Sequence, residues 1–176
     1  MNVFILNSGR CGSSTFIKAC QHIHNFSSAH ESRSQKIGSE RLNYPKNHIE
    51  ADNRLCWFLG RLDQSYGNTA FYVHLKREKN SAADSFAKRE QYGIMKAYRE
   101  GILLGAEEQP AHDVALDYLH SIESNIELFL KDKTQVFNMQ LENAKMDFSL
   151  FWQQIGAKGD LQKALAEWDI CYNASA

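Results

Sequence analysis

The sequence predicts an α/β protein in three layers, in which a short parallel sheet of three to five strands lies between helices. An apolar run at residues 3–6 breaks into a Gly- and Ser-containing segment and then into helical periodicity. A second run at 70–75, dense in aromatic and β-branched residues, is again followed by a helix start, and a third lies at 134–139. Strands that alternate with helices favour a parallel sheet.

The first predicted strand leads into a candidate anion-binding loop. Gly9 and Gly12 have no side chains to obstruct a ligand. The following helix would present free backbone N–H groups and the positive end of its dipole to a phosphate or sulfate. Arg10 adds a fixed positive charge with several hydrogen-bond donors. The candidate binding residues of this loop are Gly9, Arg10, Cys11, Gly12, Ser13, Ser14 and Thr15.

Two nucleotide and phosphate motifs do not fit this loop. A Walker A loop needs a Lys after its last Gly, where this chain has Ser13, so ATP or GTP hydrolysis is not favoured. A loop of the tyrosine-phosphatase kind would carry an Arg six residues after Cys11, and that position is Ile17. We therefore do not expect Cys11 to be a nucleophile. An ordinary strand-to-helix turn capped by serines stays open as an alternative.

A second motif follows the strand at 70–75. Arg77 stands just beyond the strand, and Ser85 follows eight residues later in a helix predicted to begin at Asn80 or Ser81. Ligands of open α/β sheets bind at the carboxyl ends of the strands, so Arg10 and Arg77 are expected at the same edge. Taken alone, the pair also fits an exposed Arg and an exposed helical Ser.

Together the two motifs resemble those of sulfotransferases. The run from Arg10 to Thr15 is similar to the 5′-phosphosulfate-binding loop of that family, and Arg77 with Ser85 is similar to the pair that holds the 3′-phosphate. The family has Asn-Pro or Asp-Pro after this Arg, whereas this chain has Glu78-Lys79. Many members also carry a late Arg-Lys-Gly loop, of which only Lys158-Gly159 is present here, so a role for Lys158 stays open.

The resemblance implies a P-loop-like fold and a PAPS-dependent enzyme. The expected reaction transfers a sulfuryl group from 3′-phosphoadenosine 5′-phosphosulfate (PAPS) to a hydroxyl or amine of a small-molecule or carbohydrate acceptor, and it requires no metal. Two alternatives stay open. One is a nucleotide or small-molecule kinase with a degenerate P-loop, and the other is a non-catalytic nucleotide-binding protein of the same fold.

The catalytic residues suggested by the resemblance are Arg10 and a general base. An acceptor hydroxyl needs a positioned base, and sulfotransferases acting on sugars carry a Glu at a spacing similar to that of Glu31 from Arg10. Glu31 lies in a polar stretch at 25–47, which we expect to be a long loop. His48 is the second catalytic candidate, and His30 and Glu50 compete with both. The sequence does not choose among them.

Composition limits the other function classes. With 176 residues and 43% hydrophobic content, we expect residues 1–176 to form one domain. A formal net charge of −1 does not favour nucleic-acid binding. No long apolar run or leader peptide is visible, so we predict a cytoplasmic protein without a membrane partner. The four scattered cysteines and seven histidines predict no metal site, and the oligomeric state stays open.

Overall fold

The computed structural model describes residues 1–105, 108–170 and 172. Within them, five strands form one parallel sheet in the order β2-β3-β1-β4-β5. The strands are β1 (Val3–Leu6), β2 (Ser27–His30), β3 (His48–Ala51), β4 (Phe71–Lys76) and β5 (Val136–Gln140). The central strand β1 is buried on both faces, as its continuous apolar run requires. The predicted three-layer α/β fold with a parallel sheet is confirmed.

Helices cover both faces of the sheet. They are α1 (Ser13–Cys20), α2 (Leu59–Tyr66), α3 (Lys79–Ala87), α4 (Gly93–Ala97), α5 (Ala111–Leu130), α6 (Ala144–Gln154) and α7 (Leu161–Ala166). Successive side chains of a strand point to opposite faces. Phe4 and Leu6 of β1 therefore join the core under α2 to α5, and Val3 and Ile5 join the core under α1, α6 and α7. No helix among the described residues is long and apolar enough to cross a membrane.

The structure differs from the sequence-based expectation in two segments before β4. The stretch at 25–47 contains the edge strand β2 and a 3-10 turn at Gly38–Leu42. The helical spacing of Leu55, Phe58, Leu59 and Leu62 predicts one helix from Asn53 to Gln64. The structure instead has a 3-10 turn at Asn53–Trp57 followed by α2. The turn begins where Asp52 accepts a hydrogen bond from the Arg54 backbone N–H at 2.8 Å, which fixes the chain as it leaves β3.

The start of α3 explains one departure from the sulfotransferase pattern. Glu78 is the N-cap residue, and its carboxylate accepts hydrogen bonds from the backbone N–H groups of Asn80 at 2.9 Å and Ser81 at 2.7 Å. These bonds lower the pKa of Glu78. The helix therefore begins at Lys79, and Glu78 supplies the cap that stabilises its first turn.

A buried ion pair fixes the segment between β2 and β3. Arg41 Nη2 lies 2.6 Å from Asp52 Oδ2, and the two side chains are 2% and 0% exposed. The Arg41 guanidinium also donates to the Tyr44 hydroxyl at 3.3 Å and lies 5.0 Å from the centre of the Phe58 ring. Because Asp52 also holds the Arg54 backbone, the pair joins this segment to the residues that follow β3.

We expect Arg41→Met to lower the free energy of unfolding by about 3–5 kcal/mol, because it leaves a buried carboxylate without its counter-charge. Arg41→Met combined with Asp52→Asn should be more stable than Arg41→Met alone, since Asn keeps an acceptor for Arg54. Lys145→Met is the matched control, because Lys145 pairs with Asp169 on the surface and should cost less than about 1 kcal/mol. Urea unfolding of the four proteins measures the difference. Equal losses of unfolding free energy for Arg41→Met and Lys145→Met would contradict a stabilising role of the buried pair.

Candidate active site

The segment between β1 and α1 forms a tight turn at the N-terminus of the helix. Gly9, Arg10 and Gly12 have left-handed backbones, with φ angles of 96°, 57° and 86°. The Asn7 side chain fixes the start of the turn, because it donates to the Ile5 carbonyl at 2.9 Å and accepts from the Gly9 N–H at 3.0 Å. Gly12 is the N-cap of α1 and has no side chain with which to cap the first amides of the helix. A helix N-terminus of this kind favours an anion.

Two arginines and a serine from three elements meet at this loop. Arg10 Nε donates to Ser85 Oγ of α3 at 2.9 Å. Arg77, just beyond β4, donates from Nη1 to the Arg10 carbonyl oxygen at 3.2 Å. The structure therefore brings together the three side chains that the sequence places in two separate motifs. Arg77 holds the backbone of the loop, and Ser85 orients the Arg10 guanidinium.

Both loop glycines allow close approach of a neighbouring segment. A Cβ on Gly12 would lie 2.6 Å from Leu141 Cδ1, just beyond β5. A Cβ on Gly9 would lie 3.0 Å from Asn53 Nδ2 and 3.1 Å from Phe86 Cζ. The missing side chains thus let residues that follow β3 and β5 close around the loop.

Two clefts open on either side of the loop, and both are lined by Arg10, Ser13 and Ser14. The first, which we name the Arg77 cleft, has a volume of about 310 Å³. It is further lined by Thr15, Arg77, Leu141, Trp168, Asp169 and Ile170. The second, which we name the Glu31 cleft, has a volume of about 440 Å³. It is further lined by His30, Glu31, Asn53, Arg54, Phe86 and Tyr92.

Two of the four candidate bases lie at the loop. Glu31 follows β2 and lines the Glu31 cleft, with its Oε2 atom 2.8 Å from Arg54 Nη1. Its φ angle of 52° lies in the left-handed region, and its backbone N–H is held by the Ala51 carbonyl at 2.9 Å. His30 lines the same cleft, and its Nε2 atom lies 3.0 Å from Ser13 Oγ.

The structure does not bring His48 or Glu50 to the site. His48 is the first residue of β3, about 10 Å along the strand from the carboxyl end where the clefts lie. Its ring bonds to Ser27 Oγ at 2.8 Å and to Glu50 Oε2 at 2.9 Å. Glu50 is fully buried and also accepts from the Ser32 N–H and hydroxyl, each at 2.7 Å. Neither residue lines the Arg77 cleft or the Glu31 cleft, so the structure places the predicted catalytic residue His48 away from both.

The remaining predicted residues have clear positions. Cys11 is 1% exposed, and burial raises its thiol pKa to about 12, which fits its exclusion as a nucleophile. Its contribution to an anion site would be limited to its backbone.

Lys158 lines neither cleft, and its backbone N–H bonds to Asn25 Oδ1 at 2.7 Å. Among the described residues, no group of three or more His, Cys, Asp or Glu side chains could hold a metal ion.

Sequence reasoning missed several residues that line the clefts. Asn53 and Arg54 follow β3, as Arg10 follows β1 and Arg77 follows β4. A search for polar residues just beyond each predicted strand would therefore have found them. Arg89 and Tyr92, between α3 and α4, line the Glu31 cleft without any comparable signal. Their positions depend on how the connection after α3 packs.

Comparison with known proteins supports the fold. No protein-family model matches the sequence, and no curated protein matches it. The structure is similar to the solved sulfotransferase domain from the curacin biosynthetic pathway, with a TM-score of 0.62 and 15% sequence identity. The match covers 93% of this chain and 75% of that chain. The expected sulfotransferase-like fold is therefore confirmed.

We expect Gly12→Ala to destabilise the protein more than Gly38→Ala does. Both positions have left-handed backbones, with φ angles of 86° and 57°, so each substitution should cost about 1–2 kcal/mol. Only Gly12 meets a neighbour, Leu141, and its overpacking should add about 1–3 kcal/mol. Thermal and urea unfolding measure both effects. In the double variant Gly12→Ala/Leu141→Ala, the clash is removed, so the loss of unfolding free energy should be smaller than the sum of the two single losses. A loss equal to that sum would show that the contact with Leu141 does not cause the extra destabilisation.

Proposed function

We propose that this protein transfers a sulfuryl group from PAPS to a hydroxyl or amine of a small-molecule or carbohydrate acceptor. The observation that carries the proposal is the meeting of Arg10, Arg77 and Ser85 at the N-terminus of α1. The fold shared with a sulfotransferase domain supports the same reading. A kinase would instead need a phosphate-binding Lys where this loop has Ser13.

The residues at the loop fit an anionic sulfuryl donor. PAPS, when bound, supplies an activated sulfuryl group attached to a phosphate leaving group. Backbone N–H and hydroxyl groups from Ser13 to Thr15, together with Arg10, would hold its 5′-phosphosulfate. Arg77, from the lining of the Arg77 cleft, would hold its 3′-phosphate together with Ser85, which lies beside Arg10 but is not itself part of the lining of either cleft. The Ser85 hydroxyl accepts from Arg10 Nε and still has its own proton to donate to a phosphate oxygen.

The two clefts suit the two substrates. We assign the nucleotide to the Arg77 cleft and the acceptor to the Glu31 cleft, because both meet at Arg10, Ser13 and Ser14. Arg10 would stabilise the negative charge that develops on the leaving phosphate. Glu31 would accept the proton of the acceptor hydroxyl, and Arg54 would hold the Glu31 carboxylate in place.

We expect adenosine 3′,5′-bisphosphate, the product of the donor, to bind more tightly than ATP with Mg²⁺. Arg77→Ala and Ser85→Ala should each weaken this binding by about 1.5–3 kcal/mol, the contribution of a hydrogen bond to a charged group. Arg61→Ala and Ser65→Ala on the exposed face of α2 are matched controls and should bind normally. Isothermal titration calorimetry measures all five proteins. Normal binding by both site variants would remove the 3′-phosphate assignment.

We expect Glu31→Gln to lower turnover by about 10²- to 10⁴-fold, because Gln keeps the size of Glu but cannot act as a base. Bisphosphate affinity should not change, since Glu31 lies in the acceptor's cleft. Glu40→Gln, an exposed carboxylate of the same segment, is the matched control. Sulfuryl transfer by each variant is measured with PAPS at saturation. Full activity of Glu31→Gln together with loss in His30→Asn would assign the base to His30.

A further inference from the structure

Three ionisable residues lie in a row on one face of β3 and its extension. Side chains of a strand alternate between its faces, so His48, Glu50 and Asp52 share a face, while Ile49 and Ala51 join the core on the other. None of the three is more than 5% exposed. Burying ionisable groups costs free energy, and apolar residues of similar volume often stabilise a protein as well. The row therefore points to a role besides folding.

The central member of the row, Glu50, accepts three hydrogen bonds. Ser32 donates its backbone N–H to Oε1 and its hydroxyl to Oε2, each at 2.7 Å. His48 Nε2 lies 2.9 Å from Oε2, and the imidazole is the donor because a carboxylate only accepts. The other ring nitrogen of His48 bonds to Ser27 Oγ at 2.8 Å, and the Tyr44 ring stacks on the imidazole. These contacts hold the Glu50 carboxylate in one orientation.

Two members of the row lead to Glu31. Ser32, which Glu50 holds, is the next residue in the chain after Glu31. Asp52 accepts from the Arg54 backbone N–H at 2.8 Å, and the Arg54 side chain pairs with the Glu31 carboxylate. Glu50 therefore fixes the backbone beside Glu31, and Asp52 fixes the partner of the Glu31 side chain.

The backbone of Glu31 needs this support. Its φ angle of 52° lies in the left-handed region, which is costly for a residue with a side chain and persists only where the surroundings hold it. The Glu31 N–H donates to the Ala51 carbonyl at 2.9 Å, and the Ser32 N–H donates to Glu50. If the second bond weakens, the peptide between Glu31 and Ser32 can turn, and the Glu31 carboxylate loses its place in the Glu31 cleft.

We infer that Glu50 is a positioning residue for Glu31, and that His48 and Ser27 orient Glu50. The inference rests on the proposed function, in which Glu31 takes the proton of the acceptor, and it adds the buried residues that aim this base. Glu50 and His48 line neither the Arg77 cleft nor the Glu31 cleft, so their effect on turnover should pass through Glu31.

A double-mutant cycle on kcat tests this coupling. Glu50→Gln keeps the size of the side chain but replaces a charged acceptor by a neutral one, so it should lower kcat by about tenfold and leave bisphosphate affinity unchanged. In a protein that already carries Glu31→Gln, the same change should have no further effect, because no base remains to be positioned. Equal losses in the two backgrounds would overturn the inference.

Tyr72→Phe is the matched control for the loss of a buried hydrogen bond. Tyr72 is fully buried in β4, and its hydroxyl donates at 2.8 Å to the carbonyl of Gly67, which precedes that strand. Neither residue lines the Arg77 cleft or the Glu31 cleft. The variant should therefore unfold more easily but keep its kcat. A kcat as low as that of Glu50→Gln would show that general destabilisation, and not positioning, lowers turnover.

Variants of Ser32 decide the question if Glu50→Gln does not fold. Ser32 is exposed, so its substitution is tolerated by the core. Ser32→Ala removes the hydroxyl bond to Glu50 and should lower kcat by about fivefold, whereas Ser32→Thr keeps a hydroxyl and should restore it. Equal turnover by the wild-type protein and both variants would then overturn the inference.

Hydrogen exchange gives a readout that does not depend on turnover. The Ser32 amide, followed by NMR, should exchange at least about tenfold faster in Glu50→Gln than in the wild-type protein or Tyr72→Phe. Unchanged exchange would contradict the role of Glu50. If the wild-type protein does not bind the bisphosphate, the proposed function fails, and this exchange still decides whether Glu50 holds the segment of Glu31. If the bisphosphate binds and Glu50→Gln has normal turnover and exchange, only the positioning role is wrong.

Discussion

The N-terminus of α1, where Gly12 supplies no side-chain cap, is the constraint on which the rest of the site depends. Gly12 supplies no side chain to the first amides of the helix, and these amides lie beside the central strand's carboxyl end. Arg10 and Arg77 bring two guanidinium groups to the same place, and Arg77 holds the loop through the Arg10 carbonyl. A cluster of positive charges and backbone donors favours the binding of an anion, whereas it contributes little to the stability of the fold. The left-handed Arg10, a costly backbone for a non-glycine residue, fits a site kept for its chemistry.

The Glu31 cleft depends on a different set of contacts. The buried Arg41–Asp52 pair joins the segment after β2 to the turn after β3. Arg54 leaves that turn and meets Glu31, whose backbone is held by the Ala51 carbonyl at the end of β3. Glu31 is therefore positioned from both sides by β3 and its turn. A change at the buried pair should reach the cleft through Asp52, because the same carboxylate bonds Arg41 and the Arg54 backbone.

A shared fold at 15% identity is physically reasonable for this architecture. The sheet and its helices require apolar side chains of suitable size, which many sequences supply. The site requires few side chains, provided that they follow the correct strand ends. Glu78 illustrates the freedom that remains. It stands where sulfotransferases, which this chain resembles, have Asn-Pro or Asp-Pro. Its carboxylate caps α3, so the helix that carries Ser85 begins just beyond β4.

The sequence by itself determined the fold class, the loop after β1, and the meeting of Arg10 with Arg77. Apolar runs and helical periods are local signals, and the carboxyl ends of parallel strands lie at one edge whatever the remaining packing. Tertiary structure decided the rest. The edge strand β2 has polar residues without alternation and forms because β3 offers it a partner. His48 lies at the amino end of β3, on the opposite edge of the sheet from the loop after β1. The pairing of β2 with β3 places His30 and Glu31 next to that loop. Such long-range pairing sets which side chains meet, and no local pattern encodes it.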